Sequence, residues 1–229
     1  MTPFSERNPG MNAYSVYFAG ELFDHKHLIG NAILAEAIER HSDGRYNCVV
    51  PQHLEQATGR AVDIRNQDLK QVMACDLGLF NFDGTDLDSG TVVEFMVAKF
   101  LDIPSVILRS DFRSSGDQDK DGDDWNLMCS FYPRVRVLGF NAMGWYQEAR
   151  DGASNVTDCS DRLYARIAHA VIEQLDAVRA EPPVAESDEE RIRNLYEWAT
   201  RFPGGGLEAF CGPGFVDEVI ESKRRKGLL

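Results

Sequence analysis

Short runs of β-branched and aromatic residues alternate along the chain with longer segments in which apolar residues recur every three or four positions. Val16 to Gly20 is typical of a first strand, and residues 26–40 carry the broad apolar face of a helix. The alternation continues and predicts further strands at 47–50, 77–82, 105–108 and 135–140 and helices at 66–75, 91–101 and 158–178. It favours an α/β fold that is doubly wound and flavodoxin-like, with a parallel five-stranded sheet and helices on both faces.

The pattern changes after residue 180. A linker containing Pro182-Pro183 precedes Ser187-Asp188-Glu189-Glu190, a capping box that predicts a helix to about Arg201. Pro203-Gly204-Gly205-Gly206 breaks that helix, and a last helix is predicted from about Phe215 to Lys226. We therefore divide the chain into a flexible N-terminal tail (1–12), an α/β domain (13–180) and a helical C-terminal extension (181–229).

Composition and charge exclude several classes of protein. The 229 residues are 43% hydrophobic and 27% charged, which is ordinary for a globular chain. The net charge of -13 makes a nucleic acid polymer or an anionic membrane a poor partner. The one basic run, Lys223 to Lys226, is predicted to be a solvated helix end. We expect a cytoplasmic protein for three reasons. The cysteines are scattered and include no CxxC, the sequence shows no signal peptide, and no apolar run is long enough to span a membrane.

Acidic residues gather where the third predicted strand ends, at the side of a parallel sheet where ligands bind. Asp83 to Gly90 leads directly into the helix TVVEFMVAKFL, in which Glu94 stands among apolar neighbours. That carboxylate is either partly buried beside the strand-end cleft, as at reactive sites, or an ordinary acid favoured by the helix dipole. Position alone does not decide between the two. Asp68 is likewise either a functional carboxylate or an ordinary acid that the helix dipole favours near the start of a helix. Asp88 is by default a turn residue.

Four segments, in this order, resemble nucleoside 2-deoxyribosyltransferases. They are Tyr17 to Phe23, Asp68-Leu69, Asp83 to Glu94, and Asn126-Leu127-Met128, and the likeness extends from about residue 15 to 140. The resemblance implies an enzyme that exchanges the nucleobase of a 2′-deoxyribonucleoside for another free base, with no metal or organic cofactor. The α/β domain would then be the catalytic domain.

The resemblance also implies catalytic roles. Glu94 matches the nucleophile that carries a covalent deoxyribosyl intermediate, with net retention, and Tyr17 matches the hydroxyl that orients it. Asp68 and Asp88 match the acidic residues around the base and sugar, one of which helps to protonate the leaving base. The chemistry suits these residue types, because a carboxylate stabilises and traps an oxocarbenium-like centre and a carboxyl of raised pKa donates a proton.

Further matches concern substrate binding. Asn126 and Met128 match residues that reach the sugar in a neighbouring subunit, which implies a homo-oligomer with active sites completed by that subunit. The resemblance places other substrate-binding side chains in loops at the strand ends. They are Phe23, Gln52, Asp83 and Gly90.

Two other functions stay open at this point. A hydrolase of (2′-deoxy)nucleoside 5′-monophosphates would pass the sugar to water and would need hydroxyl or cationic groups for the phosphate. Asn126-Leu127-Met128 offers neither, but Arg109 or Arg113 could serve. A non-catalytic module that binds a nucleoside or nucleotide would keep the pocket without the nucleophile.

The insertion from Ser114 to Trp125 is unusually acidic. Asp117, Asp119, Asp121 and Gly122 imitate the first half of a calcium loop, but its twelfth position is Met128 instead of Glu. We predict a mobile, solvated loop without a metal.

Overall fold

The computed structural model describes residues 13–54, 59–113, 122–184 and 188–229. Within them the chain forms five strands, β1 (Tyr14–Ala19), β2 (Tyr46–Val49), β3 (Leu77–Asn81), β4 (Ser105–Arg109) and β5 (Val135–Gly139). All neighbouring pairs are parallel and the order is β2-β1-β3-β4-β5. This order is the flavodoxin-like one, so the predicted doubly wound fold is confirmed.

Helices connect the strands and follow the last one. They are α1 (His25–His41), α2 (Ala61–Ala74), α3 (Ser89–Phe100), α4 (Ala142–Asp151), α5 (Val156–Arg179), α6 (Glu189–Arg201), α7 (Leu207–Cys211) and α8 (Phe215–Arg225). The sequence pattern did not predict α4 and α7, and α2 begins earlier than predicted. Among the residues described, no helix has the length and apolar character needed to span a bilayer.

The strands bury both of their faces, as expected for a parallel sheet with helices on each side. Val16 and Phe18 of β1 belong to a cluster with side chains of α1 and α5. Tyr17 and Ala19 point to the opposite face because side chains alternate along a strand, and they join a second cluster with Phe95 of α3. Tyr17 and the helix that carries Glu94 therefore share one face of the sheet.

The C-terminal extension packs on that same face. Tyr196 of α6 and Phe215 and Ile220 of α8 are buried in the cluster that contains Phe95. The tyrosine hydroxyl donates to the carbonyl oxygen of Leu101 at 3.5 Å. The extension thus shares the hydrophobic core of the α/β domain.

The prediction that the basic run is a solvated helix end is wrong for two of its lysines. Lys223 is only 2% exposed and its Nζ donates to the carbonyl oxygen of Cys75. Lys226 Nζ lies 2.5 Å from Oδ2 of the buried Asp76. The end of α8 lies against the start of β3, where a buried carboxylate requires a cation.

Some predictions fall outside the described residues. These include the N-terminal tail (1–12), Ser187 of the capping box, and Asp117, Asp119 and Asp121 of the acidic insertion. The described part of the box agrees with a helix start, because Asp188 Oδ1 accepts from the backbone N–H groups of Glu190 and Arg191 at 3.0 and 3.3 Å.

Candidate active site

The loop after β3 sets the position of α3. Asp88 is the N-cap residue, and its Oδ2 accepts hydrogen bonds from the backbone N–H of Thr91 at 2.7 Å and from the Thr91 hydroxyl at 2.9 Å. This cap satisfies one of the free donors of the first turn and fixes where the helix begins. Glu94 lies in the second turn, on the side of α3 that faces β1.

Glu94 and Tyr17 form the centre of the site. The Tyr17 hydroxyl donates to Glu94 Oε1 at 2.6 Å, and Tyr17 is almost completely buried. Burial raises the pKa of Glu94 to about 7; the Tyr17 hydrogen bond opposes this, and the charges of Asp68 and Asp88 add to it. Of the two alternatives for Glu94, the structure has the partly buried carboxyl beside the strand end.

Asp68 lies on α2, near enough to act on both groups. Burial raises its pKa to about 6. The charge of Asp68 in turn raises the pKa of Glu94. For Tyr17, burial raises the pKa most, followed by the charge of Glu94 and then by that of Asp68. Two carboxyl groups whose pKa values burial raises toward neutrality can supply an acid and a nucleophile, which is the pair that cleavage of a glycosidic bond uses.

The Asp83 carboxylate forms hydrogen bonds with other groups of the protein. Its Oδ1 accepts from the backbone N–H groups of Ser110 and Asp111 at 2.5 and 2.7 Å, and its Oδ2 accepts from the Ser110 hydroxyl at 2.7 Å. These bonds join the loop after β3 to the loop after β4. The structure thus places Asp83 at the junction of these two loops, with both carboxylate oxygens occupied.

The sequence matches the family described as nucleoside 2-deoxyribosyltransferase over residues 16–128, which include most of β1 and all of β2 to β4. Tyr17, Asp68, Asp88 and Glu94 lie within this range. The chain belongs to this family. Membership supports a deoxyribosyltransferase-like activity of the glycosyltransferase type, with deoxynucleosides and nucleobases as the substrate classes. No curated protein matches the chain.

Three solved structures are similar over part of the chain. A conserved protein from Enterococcus faecalis V583 is 21% identical, with 72% of this chain and 98% of that one covered and a TM-score of 0.44. A 2-desoxiribosyltransferase from Leishmania mexicana is 21% identical, with coverage of 54% and 89% and a TM-score of 0.45. A 2-deoxyribosyltransferase from Bacillus psychrosaccharolyticus is 15% identical, with coverage of 43% and 74% and a TM-score of 0.38.

Three other residues matched to the family's substrate-binding positions lie in the strand-end loops. Phe23, after β1, is 79% exposed. Gln52 lies in a short 3-10 helix after β2, where its Nε2 donates to the carbonyl oxygen of Leu28 at 2.7 Å. Gly90 is exposed in the first turn of α3, and a Cβ there would lie 3.1 Å from Asp88 Oδ2. Within the described residues, none of the three forms a hydrogen bond with Glu94.

The segment matched to the family's subunit-spanning residues is largely exposed. Asn126 Oδ1 accepts from the backbone N–H of Met128 at 2.9 Å, and the Met128 side chain is 74% exposed. The preceding Trp125 is buried against the edge of Phe82, with ring centroids 5.6 Å apart. One buried aromatic residue thus fixes the start of a segment whose next side chains face away from the core.

The two arginines considered for a phosphate are engaged with protein groups. Arg109 is 4% exposed; its Nη1 donates to the carbonyl oxygens of Phe82 and Gly84, and its Nη2 to that of Arg113 at 3.2 Å. The Arg113 side chain pairs with Asp111 and holds the pKa of that carboxyl well below its usual range. In the described ranges, no three His, Cys, Asp or Glu side chains are grouped to bind a metal ion.

Proposed function

We propose that the protein transfers the deoxyribosyl group of a 2′-deoxyribonucleoside between nucleobases through a covalent deoxyribosyl–Glu94 intermediate. The observation that carries the proposal is the 2.6 Å hydrogen bond from the Tyr17 hydroxyl to Glu94, with Asp68 within electrostatic range of both. It supports an ionised, oriented carboxylate in a partly desolvated place, which is the form that attacks an anomeric carbon.

In the first step, a Glu94 carboxylate oxygen bonds to C1′ while the C1′–N bond breaks. The electron pair of that bond stays on the base nitrogen, and the base takes a proton from Asp68. We assign the proton to Asp68 because its pKa is raised to about 6, whereas the Asp88 carboxylate caps α3. The free base then departs neutral.

In the second step, a nitrogen of the incoming base attacks C1′ from the side that the first base has left. The C1′–O bond to Glu94 breaks, the carboxylate is restored, and the proton of the incoming base returns to Asp68. Two inversions at C1′ give net retention. Neither step uses a metal ion or an organic cofactor.

Both carboxyl groups can change their protonation state near neutrality. Burial raises the pKa of Asp68 to about 6 and that of Glu94 to about 7, so between these values the pair holds about one proton, which in the resting protein is mainly on Glu94. Reaction uses the form in which this proton is on Asp68, and the Tyr17 hydrogen bond increases the share of that form by stabilising the Glu94 anion.

Exposure of Asn126 and Met128 agrees with the family's arrangement, in which these residues complete the active site of a neighbouring subunit. We propose that the active enzyme is a homo-oligomer for this reason.

Chromatography of deoxyinosine and adenine incubated with the protein tests the function directly. Deoxyadenosine and hypoxanthine in equal amounts are the expected products. Free deoxyribose without deoxyadenosine would show hydrolysis, and unchanged substrates would indicate a binding module. Deoxyinosine 5′-monophosphate in a parallel reaction tests the phosphate-dependent alternative, which the engagement of Arg109 and Arg113 disfavours.

A further inference from the structure

The helix that carries Asp68 is not fixed by a cap at its start. The N-cap position of α2 is Arg60, which makes no side-chain capping hydrogen bond. Asp68 lies in the middle of this helix, so its direction toward Glu94 depends on what holds the N-terminal half of α2 in place. The C-terminal extension provides those contacts.

The contacts come from a tight turn between α6 and α7, Pro203 to Gly206, here called the glycine turn. Gly204, Gly205 and Gly206 have φ values of +62°, +62° and +80°, a left-handed conformation that glycine adopts without steric cost. Three consecutive left-handed residues direct the backbone carbonyls of this turn at α2.

Two neighbouring side chains of α2 donate to those carbonyls. Arg65 Nη1 donates to the oxygen of Pro203 at 3.2 Å, and its Nη2 donates to the oxygen of Gly204 at 2.9 Å. Asn66, which is 1% exposed, donates through Nδ2 to the oxygen of Gly205 at 2.9 Å and accepts from Arg65 Nη2 at 2.8 Å. The arginine is thereby held toward the glycine turn.

The direction of Arg65 matters because of its spacing from Asp68. Residues three apart on a helix are surface neighbours, so the guanidinium of Arg65 could reach the Asp68 carboxylate. Such a pair would favour the ionised form of Asp68. In the structure, burial raises the Asp68 pKa. This agrees with an Arg65 guanidinium that is directed at the glycine turn and not at Asp68.

We propose that the glycine turn acts as a positioning element: by binding Arg65 and Asn66, it fixes α2 and keeps the guanidinium away from Asp68. The Asp68 carboxyl then faces Tyr17 and Glu94 as a proton donor. This inference deepens the proposed function, in which Asp68 protonates the leaving base. It gives the C-terminal extension a role in the reaction.

Other charged groups near Asp68 do not replace Arg65. From β1 and α3 it lies within electrostatic range of Tyr17 and Glu94, whose pKa values its charge raises. Lys70 of α2 lies two positions away, on a different face of the helix. Its Nζ donates to the carbonyl oxygen of Cys211 at 3.4 Å and lies over the Phe215 ring. From the extension, Arg201 pairs with Glu208 at 2.9 Å.

Gly205→Ala tests the proposal. A Cβ on Gly205 would lie 2.3 Å from Arg65 Nη2 and 2.9 Å from Val62 Cγ2, so the arginine must leave its carbonyl partners. We expect the Asp68 pKa, measured on its carboxyl carbon by NMR and assigned with Asp68→Asn, to fall by about 1 or more. In the double variant Gly205→Ala/Arg65→Gln it returns to the wild-type value, because the cation is gone.

Controls separate positioning from stability. Arg193→Gln removes an ion pair to Asp217 inside the extension and is expected to leave the Asp68 pKa unchanged. Asn66→Ala disturbs the same turn without adding a side chain, so it provides a second test if Gly205→Ala does not fold. It is expected to lower the Asp68 pKa in the same direction.

Activity provides an independent readout. A lower Asp68 pKa leaves the acid deprotonated at lower pH, so the pH optimum of kcat should move to lower pH in Gly205→Ala and return in the double variant. An Asp68 pKa that is unchanged, or one that stays low in the double variant, would overturn the proposal. If the wild-type protein shows no transfer, the proposed function is wrong, while NMR of the resting protein still decides this inference.

Discussion

Glu94 Oε1 lies 2.6 Å from the Tyr17 hydroxyl, and this hydrogen bond joins the end of β1 to the first half of α3. Tyr17 faces the α3 side of the sheet because of the strand's two-residue alternation, and Glu94 faces the strand because the Asp88 cap fixes the start of the helix. The strand alternation and the helix cap thus place the Tyr17 hydroxyl against the Glu94 carboxylate. Without this hydrogen bond, burial would favour the protonated form of Glu94 more strongly.

Glu94→Gln should abolish transfer. Glutamine keeps an oxygen that can accept from Tyr17, but it cannot form the covalent bond to C1′, so the stepwise route is lost. We expect kcat to fall by several orders of magnitude, measured by deoxyadenosine formation. Activity within about tenfold of the wild type would contradict the role of Glu94 as nucleophile.

The same variant should be more stable than the wild type at alkaline pH. The Glu94 pKa is raised from 4.5 in the unfolded chain to about 7 in the fold, so ionisation opposes folding and wild-type stability falls as the pH rises across this interval. Glu94→Gln removes this loss. Denaturant unfolding should show a gain of about 1–3 kcal/mol at pH 8 and no gain at pH 4.5. Equal stability at pH 8 would mean that Glu94 is not desolvated.

Tyr17→Phe should shift the pH dependence of transfer. The Tyr17 hydrogen bond stabilises the Glu94 anion, so its loss raises the Glu94 pKa above about 7 and moves the pH optimum of kcat to higher pH. A hydrogen bond to a charged group is worth about 1.5–3 kcal/mol, so we expect a loss of roughly 10–100-fold at pH 6 and a smaller loss at pH 8.

Tyr46→Phe is the matched control, because its hydroxyl donates to Asp176 at 2.7 Å among side chains of the opposite face. It should leave the pH optimum of kcat in place. A Tyr17→Phe profile that only drops uniformly would exclude an effect through the Glu94 pKa.

Asn126→Ala should impair sugar binding and be rescued in mixed oligomers. Asn126 is exposed, and in the proposed oligomer it acts on the neighbouring subunit's site, whereas Glu94 acts within its own. Co-refolding inactive Glu94→Ala and inactive Asn126→Ala chains should restore part of the activity through hybrid sites. Each variant refolded alone is the control. No activity in verified mixed oligomers would count against shared sites.

Asp83→Ala should act on stability. Its carboxylate accepts from two backbone N–H groups and one hydroxyl in the loop after β4, and truncation leaves these donors without their acceptor. We expect a loss of about 1–3 kcal/mol in the free energy of unfolding. Asp86→Ala, an exposed acid of the same loop, should change it by less than about 0.5 kcal/mol. A raised KM for the nucleoside with unchanged stability would instead make Asp83 a substrate-binding residue.

Strands and the long helices were predictable because each has a strong local pattern. β3 and β4 are apolar on both faces, and α5 repeats its buried residues every three or four positions. α4 lacks such a pattern, since none of its residues is buried, and its position depends on the Asn141 cap and on the stacking of Trp145 on Phe140. α7 is too short for periodicity to be read.

Contacts between distant loops could not be predicted in the same way. Glu94 is conspicuous in the sequence as an acid among apolar residues, but its bond to Tyr17 was expected only from the resemblance. Nothing local indicates that Arg65 would bind a turn about 140 positions later, or that Lys223 would be buried against Cys75. These positions depend on how the extension packs, and a single sequence carries no local signal for that.

Transfer should not require calcium, although the acidic insertion imitates part of a calcium loop. Asp117, Asp119, Asp121, Asp123 and Asp124 repel one another at neutral pH, and Lys120 offsets only one of the five charges. The twelfth position, Met128, lacks the bidentate carboxylate that such loops use. After exhaustive chelation we expect unchanged rates, and calorimetry of added calcium should show no binding heat. Because Asn126 directly follows the insertion, order imposed by a bound ion would also affect sugar binding. Loss of transfer on chelation, restored by calcium and not by magnesium, would therefore establish a cation site in this loop.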